Sequence, residues 1–356
     1  MNEKKVGIIG SGNWGSAIAK LVGENVQRIS GYDKSVQMWV FEEMVAGKEL
    51  TRIINEDHEN VKYLPGIKLP MNVVAVPEIE KVVEGADVLV FVMPHEFLNK
   101  CLDKIVGVVK PGAIGVTLIK GAFFEEDRLV LISDLLSRRL GIKVCSLMGA
   151  NIAKDVAMEY FSESTISGGD KEVGMSMVHL FTTEYFSVRY LPVHGVAEVC
   201  GVLKNVVAMG CGIASGNGQG SNTIAAIIRN GLLEMIRFCD EFIGANSTAE
   251  MVSRAFLESC VVADLIVTCT SGRNFRFTKQ AVETGQTIVE IESSEMNGQK
   301  LQGYSTGQEL KVFLERNNKK EIFPLLYSIC VSSQTTLRDK DIIAAIIRAA
   351  EVSNGQ

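Results

Sequence analysis

Near its start the chain reads KKVGIIGSGNWGSAIAKLV, from Lys4 to Val22. Val6 to Ile9 form an apolar run suited to a short buried strand, and Ser16 to Val22 open a helix. Between them Gly10, Gly12 and Gly15 stand in the spacing G-x-G-x-x-G. Gly10 permits the tight turn, Gly12 lets backbone approach a pyrophosphate, and Gly15 lets the helix pack closely on the strand. A strand that feeds a helix through such a turn commits the chain to a βαβ unit. The helix N-terminus also presents unpaired N–H groups and a positive dipole end to phosphates. Glycine-rich turns alone are common; one between a strand and a helix points to a bound dinucleotide.

The first half continues in the same alternation. VQMWVF (36–41), DVLVFVMP (87–94), AIGVTLIKG (113–121) and VCSLMG (144–149) read as further strands. After Asp87 the second of these is a continuous apolar run, as befits a strand covered on both faces. STISGG (164–169) and FSVRYLP (186–192) read as later additions at the sheet edge. From Gly195 onward the pattern changes to successive helices, at 196–214, 223–243, 248–257, 274–284, 305–316, 323–333 and 339–351. The expected architecture is α/β: a Rossmann-type doubly wound parallel sheet in residues 1–193, then an all-helical domain in 194–356.

A chain of 356 residues can bury two substantial cores. Its net charge of −6, with no long basic run, argues against a nucleic-acid partner. No uninterrupted apolar run is long enough for a membrane span. MNEKK leads straight into a strand without an apolar leader, and SNGQ carries no targeting signal, so a cytoplasmic location is expected. Eight scattered cysteines form no C-x-x-C pair and read as reduced core residues. His58, His95, His179 and His194 form no H-x-x-x-H pair, so no metal site is expected.

The acidic partner of an adenosine ribose ordinarily lies about 20 residues beyond the glycines. Asp33 has nearly that spacing but precedes the expected second strand. Glu42 and Glu43 stand at the carboxyl end of that strand, where a ribose belongs. An anionic strand end repels a 2′-phosphate and favours NAD over NADP. As solvated loop charges, the two glutamates would say nothing about the cofactor.

Charges also occur where apolar residues would be cheaper. GVAEVCGVLKNVVAMGCGIASG is apolar almost all round, as in a buried helix, yet contains Glu198, Lys204 and Asn205. A lysine there must find an anion, reach water or lose its proton; it either snorkels or faces a cleft. In SCVVADLIVTCTSGRNFRF, Asp264 is the only charge between Cys260 and Gly272, and Thr268 shares its helical face four residues on. The pair could orient a lysine and a substrate hydroxyl, or Asp264 could cap a neighbouring helix. Arg273 and Asn274 enter the next helix and offer donors to a phosphate, although an arginine at a helix end is often merely solvated. Lys120 ends the strand AIGVTLIKG, on the side where this fold class binds ligands.

Taken together, GSGNWGSAIAK, MWVFEE, HENVKYLPG, LPMNVVAVP, MPHEF, LIKG, LMGANIA, CGVLKNVVAMG, FLESCVVADLIVTC, GRN and NGQKLQG resemble the NAD-dependent glycerol-3-phosphate dehydrogenases of the eukaryotic cytosolic type. The resemblance runs in order through most of residues 4–304 and is loose in the last fifty. It implies a homodimeric, NAD-dependent oxidoreductase acting on a phosphorylated triose. It places Gly10, Ser11, Gly12, Asn13, Trp14 and Gly15 around the pyrophosphate, with Phe41, Phe97, Ala153, Arg273, Lys300 and Gln302 completing the cofactor site. It makes Lys204 the catalytic acid/base with Asp264 as its partner. Lys120, Asn205 and Thr268 surround the substrate, and Arg273 and Asn274 hold its phosphate.

One loop departs from the family pattern: where G-L-G-x-G-D-N-T is usual, this chain has GNGQGSNT, with Asn217 for an apolar residue and Ser221 for an aspartate. Other dehydrogenases join this nucleotide domain to a helical one, such as those acting on 6-phosphogluconate or 3-hydroxy acids. The GRN segment and the long string matches separate the chain from them. A catalytically silent NAD-binding regulator would be expected to lack Lys204 or Asp264, and both are present.

Overall fold

The computed structural model describes residues 3–125, 128–243, 254–296, 300–335 and 337–354. The chain divides into two compact units: Met1–Lys120 with Leu131–His194, and Gly121–Val130 with Gly195–Gln356. Its strands in chain order are β1 (Lys4–Ile9), β2 (Tyr32–Trp39), β3 (Met44–Val45), β4 (Lys48–Glu49), β5 (Val73–Val76) and β6 (Val88–Phe91). They continue as β7 (Ile114–Thr117), β8 (Ala122–Glu125), β9 (Arg128–Leu131), β10 (Lys143–Met148), β11 (Ser162–Ser167) and β12 (Phe186–Leu191).

The first unit is built on an eight-stranded sheet in the order β12-β11-β10-β7-β6-β1-β2-β5. Every neighbouring pair is parallel except β10 and β11, which run antiparallel. The Rossmann-type expectation holds, with one reversed step towards the β12 edge. Ile8, Ile9, Val88, Leu89 and Val90 are wholly buried, so the central strands are apolar on both faces. From β1 the chain passes to β2 on one side, while β6 lies on the other. The carboxyl ends of β1 and β6 therefore flank the point where strand order reverses, the usual ligand crevice of such sheets.

Several local boundaries differ from the periodicity reading. β2 begins at Tyr32, because its polar residues alternate outward along a half-covered strand. Asp33 thus lies inside β2, at the end opposite the crevice. β5 was not anticipated: its four residues, VVAV, are too few to show a period. Asn25, in the helix Asn13–Arg28, donates to the carbonyls of His179, Leu180 and Thr182 and so satisfies the end of the helix Lys171–Phe181.

Sequence reading placed residues up to 193 in one continuous domain, yet Gly121–Val130 belongs with the second unit. In that unit β8 and β9 form a two-stranded sheet. The Phe124 ring lies 5.3 Å from that of Phe313, which packs in turn against Phe238 and Phe242. Burial of these rings ties the segment to the helical unit, a long-range attraction with no local signature.

The second unit is organised around the helix Val196–Gly216. Against it pack Ser221–Phe242, Asp264–Ser271, Arg273–Thr284, Gln302–Arg316 and Pro324–Ser333. By length and composition Val196–Gly216 could cross a bilayer, which the sequence reading did not anticipate. Its most apolar window is buried throughout, and it serves as a core helix. Asp264–Ser271 is preceded by a π-helical turn, Ser259–Ala263, and a further helix, Ile288–Glu295, was not foreseen. The expected helix 248–257 falls largely outside the described residues. The eight cysteines are buried thiols that form no disulfide.

One buried carboxylate holds two of these helices together. The backbone N–H groups of Leu325 and Leu326, at the start of Pro324–Ser333, each donate at 2.8 Å to Glu234 from Ser221–Phe242. Burial pushes the Glu234 pKa up to about 7, against the opposing pull of the two N–H groups and Arg237. Its folded pKa thus exceeds the unfolded value, so the native state binds the extra proton. Stability from this group is complete below the ordinary value of 4.5 and is lost as the pH rises to about 7. Thermal unfolding is therefore expected to show a smaller drop in Tm between about pH 5 and pH 8 for Glu234→Gln than for the wild type. Equal drops would contradict this account.

Candidate active site

The three glycines of the first loop differ in what requires them. Gly10 has φ +126°, and a Cβ there would lie 2.5 Å from the Val92 carbonyl oxygen. A Cβ on Gly15 would lie 2.3 Å from the Gly10 carbonyl oxygen. Gly12 has neither constraint: its φ is −63° and a Cβ would meet nothing within 4 Å. Among the described residues nothing requires glycine at position 12. The helix Asn13–Arg28 begins here without a side-chain cap from Gly12 and without an acidic residue in its first turn. Open space beside an uncapped helix N-terminus suits a pyrophosphate, and the residues present fit a dinucleotide.

Other expected cofactor residues stand on the same side of this sheet. Phe41 follows β2 and Phe97 ends the short turn after β6; both are exposed, at 69% and 52%, as aromatic faces awaiting a partner. Ala153 opens the helix Ala153–Ala157 beyond β10. Lys120 follows β7, and its ammonium donates to the Gly149 carbonyl at 3.3 Å. Glu42 takes the Thr51 backbone N–H at 3.2 Å and also the Thr51 hydroxyl. Glu43 accepts from Lys62 and, at 2.7 Å, from the Tyr63 hydroxyl. These bonds, Lys62 foremost, hold the Glu43 carboxyl below its ordinary range. Both glutamates thus shape the loop after β2 and are not idle charges at a strand end.

The helical unit gathers a second group. Lys204 is 4% exposed, and its ammonium lies 2.5 Å from the Asp264 carboxylate, itself 3% exposed. The same ammonium donates to the Thr268 hydroxyl oxygen at 2.7 Å. That hydroxyl gives its own proton to the Asp264 backbone carbonyl at 2.6 Å. Its oxygen is thereby left as an acceptor aimed at Lys204, and the ammonium is fixed in direction. One residue along, the Asn205 amide donates to Gly201 and accepts from Asn274 at 2.9 Å. Asn274 then accepts from the Gly303 backbone N–H at 2.9 Å. Gly303 must be glycine, since a Cβ would lie 2.5 Å from the Asn205 carbonyl oxygen.

Arg273 opens the helix Arg273–Thr284 with its side chain reaching solvent. Desolvation, then the charge of Arg276, lowers its pKa. An anion placed there would offset both effects by stabilising the charged guanidinium. Lys300 pairs at 2.9 Å with Glu292, a buried carboxylate that also accepts the Leu301 N–H at 2.8 Å. Glu292 thereby fixes the approach to Gln302 and Gly303, a role without a signature in a charged, aperiodic segment. Lys204, Asp264 and Thr268 form one polar group in the second unit, and Asn205, Asn274 and Gly303 form another that joins it through the Lys204–Asn205 step of the core helix. Lys120, Phe41, Phe97, Ala153 and the glycine loop belong to the first.

Residues 5–174 match the family model for the NAD-dependent glycerol-3-phosphate dehydrogenase N-terminus, and residues 193–338 that for its C-terminus. The chain belongs to this dehydrogenase family. It is 48% identical over 337 residues to the cytoplasmic NAD-dependent glycerol-3-phosphate dehydrogenase of Mus musculus, covering 94% of this chain and 95% of that one. The solved glycerol-3-phosphate dehydrogenase of Saccharomyces cerevisiae superposes with a TM-score of 0.89 at 39% identity, covering 97% and 99% of the two chains. That of Plasmodium falciparum gives 0.89 at 34% identity, covering 98% and 95%.

At the GNGQGSNT loop the departing Asn217 has partners of its own: its amide donates to Ile213 at 2.8 Å and to Leu337 at 2.9 Å. Gln219, at the variable position of the pattern, donates to Asp339 at 2.7 Å. In this dehydrogenase the turn after Val196–Gly216 is thus tied to the start of the last helix.

Gly12→Ala separates binding from folding. Its stability is expected to stay within about 1 kcal/mol of the wild type, because the backbone conformation and the space both accept a methyl group. NADH affinity, read by fluorescence titration, is expected to fall at least tenfold or so, since that methyl group occupies the pyrophosphate's approach. An unchanged affinity would show that Gly12 is not the point of close approach.

Proposed function

We propose that the chain catalyses reversible hydride transfer between NADH and the C2 carbonyl of dihydroxyacetone phosphate, giving sn-glycerol 3-phosphate. The observation that carries this reading is the buried Lys204–Asp264–Thr268 constellation linked in sequence to the Asn205–Asn274 pair. NADH, when bound, supplies the hydride. The chain's own residues supply orientation, charge and the proton.

Arg273 and Asn274 anchor the substrate phosphate, so that binding energy remote from the reacting carbon positions the carbonyl. The dianion relieves the repulsion that Arg273 feels from Arg276. Lys204 donates to the carbonyl oxygen and passes its proton as the alkoxide forms. Asp264 and Thr268 hold the ammonium in place, which limits the reorganisation needed as charge develops. Asn205, the next residue along the core helix, is held by Gly201 and Asn274. On this reading the first unit holds NAD through the glycine loop, Phe41, Phe97 and Ala153. The resemblance implies a homodimer, and the relatives' names support a cytoplasmic location.

Two substitutions divide the roles. Lys204→Ala is expected to lower kcat by about 10²–10⁴-fold, the usual loss when a general acid is removed. Near-wild-type turnover would remove Lys204 from the chemistry. Arg273→Ala is expected to raise KM for dihydroxyacetone phosphate by about tenfold or more, as for a lost charge-assisted contact. An unchanged KM would take Arg273 away from the phosphate. The absorbance assay that follows NADH loss with dihydroxyacetone phosphate also tests the reaction itself, and NADPH is expected to serve poorly in it.

A further inference from the structure

We infer that Asn60 is a positioning residue of the dinucleotide loop, setting the direction in which Gly12 presents its backbone N–H. The inference rests on the reading of Gly10–Gly15 as a pyrophosphate cradle. Asn60 is wholly buried, in the turn that follows the helix Leu50–Asp57. Its amide nitrogen donates to the Ser11 carbonyl and to the Ser16 hydroxyl, each at 2.8 Å. Its amide oxygen accepts the Tyr63 N–H at 3.2 Å. Both amide hydrogens and the oxygen are thus used, which neither an apolar side chain nor an aspartate can reproduce.

The consequence follows from peptide geometry. The chain contains no cis peptide bond among its described residues, so the Ser11 C=O and the Gly12 N–H point in opposite directions across one plane. Asn60, with the Ser16 hydroxyl at 3.3 Å, draws the Ser11 carbonyl inward. The Gly12 N–H is thereby turned outward. Without that hold the Ser11–Gly12 plane turns easily, because glycine accepts φ values that other residues resist. A turned plane would present a carbonyl oxygen where an anion needs a donor. The glycine that admits the phosphate is also the one whose peptide needs an external clamp, and a residue 49 positions away in sequence provides it. Clamping before binding spares the ligand the cost of ordering the loop.

Calorimetric titration of the intact protein with NADH and with ADP-ribose tests the assignment. Asn60→Ala is expected to raise Kd for both ligands by about 10–100-fold at unchanged stoichiometry, as for a misdirected donor to a charged group. At saturating NADH its kcat should stay near wild type. Ser16→Ala, which keeps the Asn60–Ser11 bond, should leave Kd within about threefold. Asn60→Ala affinity within that range, or a loss seen only as reduced stoichiometry, would overturn the inference. If Asn60→Ala is insoluble, Asn60→Asp has the same size without the N–H donors and is read in the same way. If neither is soluble, Asn60 serves folding and the assignment fails. A wild type that binds neither ligand would instead overturn the cradle reading itself.

Discussion

An ammonium group inside an apolar helix persists only where its charge is answered, and the second unit is arranged around that demand at Lys204. Its carboxylate partner Asp264 is as deeply buried as Lys204 itself. Removing one member of such a pair typically costs about 3–5 kcal/mol, whereas well-packed apolar residues in both places would often be at least as stable. Stability alone therefore gives no reason for a lysine here. The proposed proton transfer does. Asp264 begins its helix directly after the π-helical turn Ser259–Ala263, and Thr268 follows one turn later on the same face. Packing of that helix on Val196–Gly216 places both groups on one ammonium.

The same logic extends outward from Lys204. Asn205 occupies the next position of the core helix and needs a polar partner of its own, which Asn274 supplies. Asn274 engages the Gly303 N–H, and Glu292 secures the adjoining Lys300–Leu301 segment. Asn205 and Asn274 satisfy one another, and Glu292 is engaged by Lys300 and the Leu301 N–H. Polar groups held in this way rigidify a buried region, whereas unsatisfied ones weaken the core.

Much of this was legible in the sequence, for identifiable reasons. The strand–glycine–helix start and the apolar run at Val88–Phe91 are local patterns, and local patterns survive in sequence. Lys204 and Asp264 stood out because a lone charge in an apolar helix violates the ordinary distribution of residues. What escaped was either too short or too remote. VVAV has too few residues for a period, and Phe124 reveals its partner, Phe313, only once the chain has folded. Glu42 and Glu43 were correctly placed at the end of β2, but their partners Thr51, Lys62 and Tyr63 were not visible. Asn60 lay within a recognised string, yet nothing local distinguished it from a surface asparagine.

The class of fold and the residue types that carry charge into apolar surroundings are readable from spacing over a few turns of chain, and the family from long matching strings. The tertiary structure decided which of those residues meet. It joined Lys204 to Asp264 across 60 residues of chain and held the Ser11 carbonyl with Asn60. It also moved Gly121–Val130 from the sheet unit to the helical one. The reason is physical: hydrogen bonds and buried ion pairs act over about 3 Å in space, whatever the separation along the chain.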